Sequence, residues 1–223
     1  MGPEGRMKKS IVILSLSIIL CLSTVVGATL IDNGGGLIYD TDFDITWLQD
    51  ANYAKTTNYS AADTYGRMTF TDANTWAANL VIGSTSGWRL PTAFNQDGSG
   101  PDQGNNVTGS ELGHLWYTEL NNTAGALTNT GPFLNIPTSG MPNPNYLTST
   151  VYAPLGGDWA YFFALNNGNS AAAFFGGGND AYKGYGWAVH DGNVGSPVPL
   201  PGAVWLLGSG LLGLVGLRRF RKS

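Results

Sequence analysis

The apolar and polar positions divide the chain into three unlike segments. Residues 11–26 and residues 203–217 are almost uncharged runs of apolar or small residues, with cations before the first and after the second. The segment between them alternates short apolar runs with polar stretches rich in Gly, Asn and Asp. This pattern predicts one folded domain at residues 29–197, between end segments at residues 1–28 and 198–223.

The first half of the middle segment predicts a β-hairpin followed by a helix. β-prone runs at residues 37–39 and 45–48 flank the acidic residues 40–44, which are expected to form the turn. Residues 71–80 have helical periodicity, with Thr71 as the expected N-cap. The apolar face of this helix consists of Ala73, Trp76, Ala77 and Leu80.

The rest of the middle segment predicts a second helix, long loops and an antiparallel sheet. Ser110 is expected to open a helix at residues 111–120, while residues 95–109 and 121–145 are rich in Gly, Asn and other turn-forming residues. Strands are expected at residues 146–150, 159–165, 171–175 and 185–190. A hairpin, two helices, long loops and then a sheet together predict an α+β fold.

Composition excludes several classes of protein. The middle segment holds four cations against fourteen acids, a formal charge of −10, so no nucleic acid is expected as a partner. The only cysteine, Cys21, lies in the first apolar run, so a disulfide framework and a cysteine zinc site are excluded. Glycine accounts for 32 of 223 residues, about twice its usual share of about 7%. The excess of glycine indicates long loops, and a binding function is expected to lie in them.

Residues 1–28 have the features of a secretory signal peptide. Cations precede the apolar run, and Val26 and Ala28 stand where signal peptidase reads, which predicts cleavage after Ala28. A retained membrane helix is the alternative, but the apolar run is short for a span of about 20 residues. Because Cys21 follows Leu20 rather than a small residue, lipidation is not expected.

Residues 198–217 are long enough to cross a membrane once. At 1.5 Å per residue, their 20 residues match a hydrocarbon core of about 30 Å. Four cations follow directly, which favours a cytoplasmic location for the end of the chain. These cations are Arg218, Arg219, Arg221 and Lys222. On physical grounds alone, the segment predicts a C-terminal membrane anchor.

The same tail resembles a known class of sorting signal. Its motif is Val198, Pro199, Leu200, Pro201 and Gly202, followed by the Gly-rich span and the Arg cluster. These ordered elements are similar to PEP-CTERM signals of the VPLPA type, which usually have Ala where Gly202 stands. The resemblance implies a Gram-negative bacterium and an inner-membrane intermediate that an exosortase processes. It further implies a final place on the cell surface or in the extracellular matrix, in association with exopolysaccharide and biofilm.

Five short motifs of the middle segment carry a second resemblance. They lie at residues 37–54, 87–92, 110–115, 146–150 and 187–189, and Trp-Arg-Leu-Pro-Thr at 88–92 is the most specific of them. They resemble the DUF1566 family, also called the Lcl C-terminal domain. The resemblance implies a C-type lectin-like or formylglycine-generating-enzyme-like fold, with two helices beside a twisted antiparallel sheet and long loops. Many relatives have a pair of cysteines in the loop before the second helix, and this chain has Asp102 and Val107 near those positions. Many relatives also have an arginine at the end of the last strand, where this chain has His190.

Oxygen-rich loops are the candidate cation sites. Asp40, Asp42 and Asp44 alternate as at the start of an EF-hand, but Ile45 and Ala51 occupy positions that need Gly and Glu, so a hairpin turn is expected. The loop at residues 97–106 is a better candidate. Its possible ligands for Ca²⁺ are Asp97, Asp102 and Asn106, and a solvated loop without an ion is the alternative. No other cofactor is expected.

Tyrosines are the candidate contacts to glycan. Tyr53, Tyr59 and Tyr65 fall in a polar stretch, where exposed rings can stack on sugars. Six tryptophans on predicted elements are expected in the core. His114 is expected to be a hydrogen-bonded structural residue, since neither it nor His190 belongs to a metal-binding motif.

The sequence indicates no catalytic residues. Glu111 and Glu119 would lie about 12 Å apart along one helix, too far for a glycosidase pair, and no nucleophile or nucleotide motif occurs. We therefore expect a non-enzymatic surface or matrix module that binds exopolysaccharide or another surface protein. The alternative is a secreted enzyme that acts on extracellular polysaccharide through acids scattered in the loops.

Overall fold

The computed structural model describes residues 30–137, 142, 144–155, 159–175 and 183–195. Both predicted end segments lie outside these residues, as do the sorting motif and the signal cleavage site. Within the described part of the chain, no helix has the length and apolar composition that a membrane crossing requires.

The described residues form nine strands and three short α-helices. The strands are β1 (Leu30–Gly34), β2 (Leu37–Asp40), β3 (Ile45–Leu48), β4 (Arg67–Met68), β5 (Asn145–Val151), β6 (Trp159–Ala164), β7 (Asn169–Phe174), β8 (Gly184–Tyr185) and β9 (Val189–Asp191). The helices are α1 (Tyr53–Thr56), α2 (Phe70–Ala78) and α3 (Glu111–His114), and a π-helical turn at Leu115–Glu119 continues α3. Mixed sheets with few helices confirm the α+β class.

The strands of this part of the chain lie in two sheets. The first has the order β1-β2-β3-β9 with antiparallel neighbours, and the second has the order β4-β8-β5-β6-β7. The predicted hairpin is confirmed, because Leu37 pairs with Leu48 and Asp40 with Ile45. Strand β1 was not predicted: its sequence Leu-Ile-Asp-Asn-Gly is largely exposed and has no clear apolar alternation. It is an edge strand that pairs only with β2.

The prediction of a single last strand at residues 185–190 is wrong, because this segment contains parts of two strands, β8 and β9. The chain instead leaves the second sheet after β8 and enters the first sheet at β9. Gly186 permits this passage, because a Cβ atom there would meet the Trp76 ring at 2.8 Å and the Met68 methyl at 2.9 Å. Trp187 follows, and its Nε1 donates a buried hydrogen bond of 2.7 Å to the Leu48 carbonyl of β3. This crossing joins the two sheets through one core.

The N-cap of the first predicted helix is Thr69 rather than Thr71. The Thr69 hydroxyl oxygen accepts from the Asp72 backbone N–H at 3.2 Å, so α2 begins one residue before Thr71. The predicted apolar face is largely correct, since Ala73, Trp76 and Ala77 are buried. The second helix does begin after Ser110, whose side chain accepts from the Gly113 N–H.

Tryptophans fill much of the core, as predicted. Trp47, Trp116 and Trp187 have no exposed surface, and Trp76 and Trp88 are nearly fully buried. Trp159 is the exception, because it lies half-buried at the start of β6.

Gly113 lies where α3 meets the loop that precedes it. A Cβ atom at this position would collide with the Val107 carbonyl oxygen, which belongs to the backbone and cannot rotate away. Alanine favours a helix over glycine by about 1 kcal/mol, but overpacking opposes it by about 1–3 kcal/mol.

We therefore expect Gly113→Ala to lower the free energy of unfolding by about 1–2 kcal/mol in guanidinium titrations. Thr75→Ala, on the exposed face of α2, is the control and should change stability by less than about 0.5 kcal/mol. A Gly113→Ala protein as stable as the wild type would contradict the close approach.

Candidate functional site

The loop predicted at residues 95–109 forms an open depression of about 600 Å³, which we name the loop groove. Its amide and carboxylate side chains are those of Asn95, Gln96, Asp97, Asp102, Gln103 and Asn106. The three candidate cation ligands of the sequence analysis are thus on one surface. A groove lined by amides and carboxylates can donate and accept hydrogen bonds over its whole length.

Hydrogen bonds within the loop hold its two carboxylates. Asp97 Oδ1 accepts from the Ser99 hydroxyl at 2.6 Å and from the Ser99 backbone N–H at 2.9 Å. These bonds lower the pKa of Asp97, which is therefore ionised at neutral pH. Asp102 Oδ2 accepts from the Asn95 side chain at 2.8 Å. The two carboxylates therefore shape the loop through its own amide and hydroxyl groups.

The loop groove is also fixed to the two sheets. Gly104 and Ser170 of β7 exchange backbone hydrogen bonds of 2.7 and 2.9 Å, and the Ser170 hydroxyl donates to the Asp102 carbonyl. On the other side, the Gln96 side chain donates to the Asp42 carbonyl in the hairpin turn at 2.9 Å. These anchors hold the groove open without requiring a helix or strand in the loop itself.

A second depression of about 320 Å³, which we name the arginine groove, adjoins the loop groove and shares Asn95 and Gln96 with it. Its lining includes Phe43, Arg89, Phe94, Glu111 and Asp191. Phe94 is 43% exposed and is one of several large apolar residues on the surface of the described part of the chain. An exposed aromatic ring beside a polar groove is a surface on which a sugar ring can stack.

Arg89 organises the floor of the arginine groove. Its guanidinium donates to both oxygens of Glu111, at 2.9 and 2.6 Å, and to Asp191 Oδ1 at 3.0 and 2.6 Å. Burial lowers the pKa of Arg89, but the bonds and charges of the two carboxylates outweigh burial and raise the pKa above its ordinary value. Glu111 Oε2 also accepts from the Thr92 backbone N–H at 2.8 Å. Arg89 is thus a permanently charged, fixed cation.

The three candidate tyrosines do not belong to either groove. Tyr53 and Tyr59 are half-buried and pack against the core. Tyr59 lines a separate depression with Lys55 and Asp63. Tyr65 is 40% exposed, and its ring lies 5.5 Å from the guanidinium carbon of Arg67. Contact between these tyrosines and a glycan stays a prediction, and it would involve a surface outside the two grooves.

A third cluster, of Asp40, His114 and Glu119, lies beneath the hairpin turn. His114 Nε2 is 3.2 Å from Glu119 Oε1 and 3.7 Å from Asp42 Oδ2. The Phe43 ring covers the imidazole, with ring centroids 4.2 Å apart. Burial raises the pKa of Asp40, which has no exposed surface. Glu111 and Glu119, which are too far apart in the sequence to be expected as a carboxylate pair, belong to different clusters.

Comparison with known proteins identifies the tail. A family model described as the PEP-CTERM protein-sorting motif matches residues 197–222, which confirms the predicted sorting signal. The chain therefore carries the signature of an exported protein that an exosortase processes at the membrane before it reaches the surface. No curated protein and no solved structure matches the chain.

Proposed function

We propose that the exported domain is a non-enzymatic binding module whose loop groove takes a polysaccharide of the cell surface or extracellular matrix. The observation that carries this proposal is the amide- and carboxylate-lined groove beside the exposed Phe94 ring. Sugar hydroxyl groups both donate and accept hydrogen bonds, and Asn and Gln side chains offer both functions. The apolar face of a sugar ring then packs on an aromatic side chain.

The charge of the domain narrows the class of polysaccharide. The formal charge of the middle segment is −10, and Asp97 and Asp102 line the groove. A polyanion such as an alginate-like uronate would be repelled at this surface. The proposed ligand is therefore a neutral or amine-bearing polysaccharide.

The two resemblances of the sequence agree with this proposal. The DUF1566 motifs suggest a C-type lectin-like fold, in which long loops carry the binding surface. The VPLPA-type tail suggests a Gram-negative surface or matrix rich in exopolysaccharide. Another surface protein is the second partner that this location allows.

An enzyme acting on polysaccharide has less support. Glu111 and Asp191 line the arginine groove, but both accept hydrogen bonds from Arg89, and Glu111 does so through both oxygens. A general acid needs a proton on its carboxyl group and a free approach to the glycosidic oxygen. A permanent cation bonded to the carboxylate opposes both conditions.

Glycan-array binding of the exported chain, purified in mild detergent, tests the proposal. We expect binding to neutral or amine-bearing glycans, which Phe94→Ala weakens by about 2- to 10-fold, the equivalent of about 0.5–1.5 kcal/mol. Tyr65→Ala is the comparison variant for the separate tyrosine surface, because Tyr65 is almost as exposed as Phe94 and lies outside both grooves.

Further readings distinguish the alternatives. Adding and chelating Ca²⁺ tests whether Asp97, Asp102 and Asn106 hold an ion that binding requires. Loss of binding in Tyr65→Ala but not in Phe94→Ala would move the site to the tyrosine surface. Release of reducing sugar would favour the enzyme, and the absence of binding with and without Ca²⁺ would overturn the lectin-like proposal.

A further inference from the structure

The cluster of Asp40, His114 and Glu119 brings three metal-ligating side chains together from two parts of the chain. Asp40 ends β2, His114 ends α3, and Glu119 ends the π-helical turn. One ligand atom from each lies within 4.8 Å of the other two. Zinc ligands bound at about 2.0–2.2 Å lie at most about 4.4 Å apart. Small side-chain movements would therefore close all three around one ion.

The two oxygens of Asp40 have different surroundings. Oδ1 accepts from the backbone N–H groups of Asp42 and Phe43, at 3.0 and 3.1 Å, and so holds the hairpin turn. Oδ2 is buried and accepts a hydrogen bond from none of the described residues. A buried polar atom left without a partner is destabilising by about 1–3 kcal/mol. The fold places the Asp40 carboxylate within 4.8 Å of the ligand atoms of His114 and Glu119, and a cation bound there could satisfy Oδ2.

Charge gives a second reason for a cation. The Asp40 residue is fully buried and the Glu119 side chain is 2% exposed. Two acidic groups thus lie in a region from which water is largely excluded, where an ionised carboxylate needs a counter-charge. A divalent cation would supply that charge to both carboxylates at once.

The donor set indicates the class of metal. An imidazole nitrogen with two carboxylate oxygens suits zinc and its first-row neighbours, whereas Ca²⁺ and Mg²⁺ take oxygen ligands. Asp42, whose side chain is 48% exposed, lies at the rim, with Oδ2 3.7 Å from His114 Nε2. We propose that Asp40, His114 and Glu119 bind one divalent transition metal of the zinc class, with Asp42 or water on the open side.

The proposed ion would join the hairpin turn to the end of α3. Asp40 belongs to the first sheet, and the two other ligands belong to the helical segment that follows the loop groove. A bound ion would thus stabilise the folded domain. This inference does not depend on the proposed glycan function, because its readout is metal content and stability.

Metal binding to the exported chain, purified without a polyhistidine tag and stripped with a chelator, tests the proposal. We expect one Zn²⁺ per chain by elemental analysis, a rise in melting temperature with Zn²⁺, and visible absorption bands with Co²⁺. Asp40→Asn, His114→Gln and Glu119→Gln should each weaken Zn²⁺ binding by more than about 100-fold, since even indirect ligands contribute about 10- to 100-fold. Near-UV circular dichroism verifies that each variant is folded.

Two control variants make the assignment specific. Asp44→Asn changes an acid of the same turn that is outside the cluster, and it should keep wild-type Zn²⁺ affinity. Asp97→Asn changes an acid of the loop groove, and this variant should also keep wild-type Zn²⁺ affinity. The proposal is overturned by a wild-type chain that binds no Zn²⁺ or Co²⁺ at 100-fold excess. Loss of binding in Asp97→Asn with retention in Asp40→Asn would also overturn it, as would a site that prefers Ca²⁺ to Zn²⁺.

Discussion

Replacing Trp187 by alanine is expected to lower the free energy of unfolding by about 3–5 kcal/mol. The Trp187 ring is fully buried at the crossing between the two sheets. Its centroid lies 4.8 Å from that of Phe133, 5.1 Å from that of Trp47 and 5.4 Å from that of Tyr146. The substitution removes these contacts, leaves a cavity and deprives the Leu48 carbonyl of its 2.7 Å hydrogen bond from Nε1.

Thermal and guanidinium unfolding followed by circular dichroism would measure this loss, with a fall in melting temperature of about 6–20 °C for a domain of this size. Trp187→Phe keeps a ring but removes the N–H donor, so it should lose less than Trp187→Ala. Trp159→Ala is the matched control at a half-buried position, and we expect less than half the effect. Equal losses at positions 187 and 159 would contradict the larger contribution to stability that we assign to Trp187.

The sequence predicted the strands that are marked by short apolar runs with turn-forming residues between them. Apolar runs interrupted by turn residues predicted the hairpin β2–β3 and the strands β6 and β7, and β6 pairs with β7 in the second sheet. The crossing at Gly186 was missed, because residues 185–190 have the apolar composition of one strand. The close packing of Gly186 against Trp76 and Met68, which accompanies the change of sheet, involves residues that are distant in the sequence.

The candidate site was predicted in part. The loop at residues 97–106 was expected to hold the candidate cation ligands, and its acidic and amide residues line one groove. The role of Arg89 could not be predicted from its motif, since its partners Glu111 and Asp191 are 22 and 102 residues away in sequence. No local pattern could indicate that these three side chains meet.

The cluster of Asp40, His114 and Glu119 beneath the hairpin turn could not be predicted from local sequence patterns either. His114 and Glu119 are five residues apart in the sequence. On an α-helix, side chains that lie next to each other on one face are three or four residues apart, so these two would not be expected to meet. The π-helical turn changes the repeat and brings i and i+5 together. Asp40 joins them from a distant strand. The sequence therefore contained the ligands without the geometry that relates them.

Replacing Arg89 by methionine is the other change with a large expected effect, a loss of about 3–5 kcal/mol in the free energy of unfolding. The Glu111 side chain is 6% exposed, and Arg89 supplies two of its hydrogen bonds. Without the guanidinium, Glu111 retains the Thr92 N–H but is left as a buried charge without its counter-ion. The Asp191 side chain is 76% exposed, so its pair with Arg89 contributes at most about 1 kcal/mol.

A double-mutant cycle at positions 89 and 111 separates the pair from the two single effects. Arg89→Met with Glu111→Met removes the unpaired charge, and the double variant should therefore be more stable than Arg89→Met alone. Asp191→Asn, measured by the same guanidinium titration, should change stability by less than about 1 kcal/mol. If Arg89→Met lost no more than Asp191→Asn, the buried half of the network would not stabilise the fold. In that case, the backbone of residues 89–92 would determine the shape of the arginine groove, and the charges of Arg89, Glu111 and Asp191 would not.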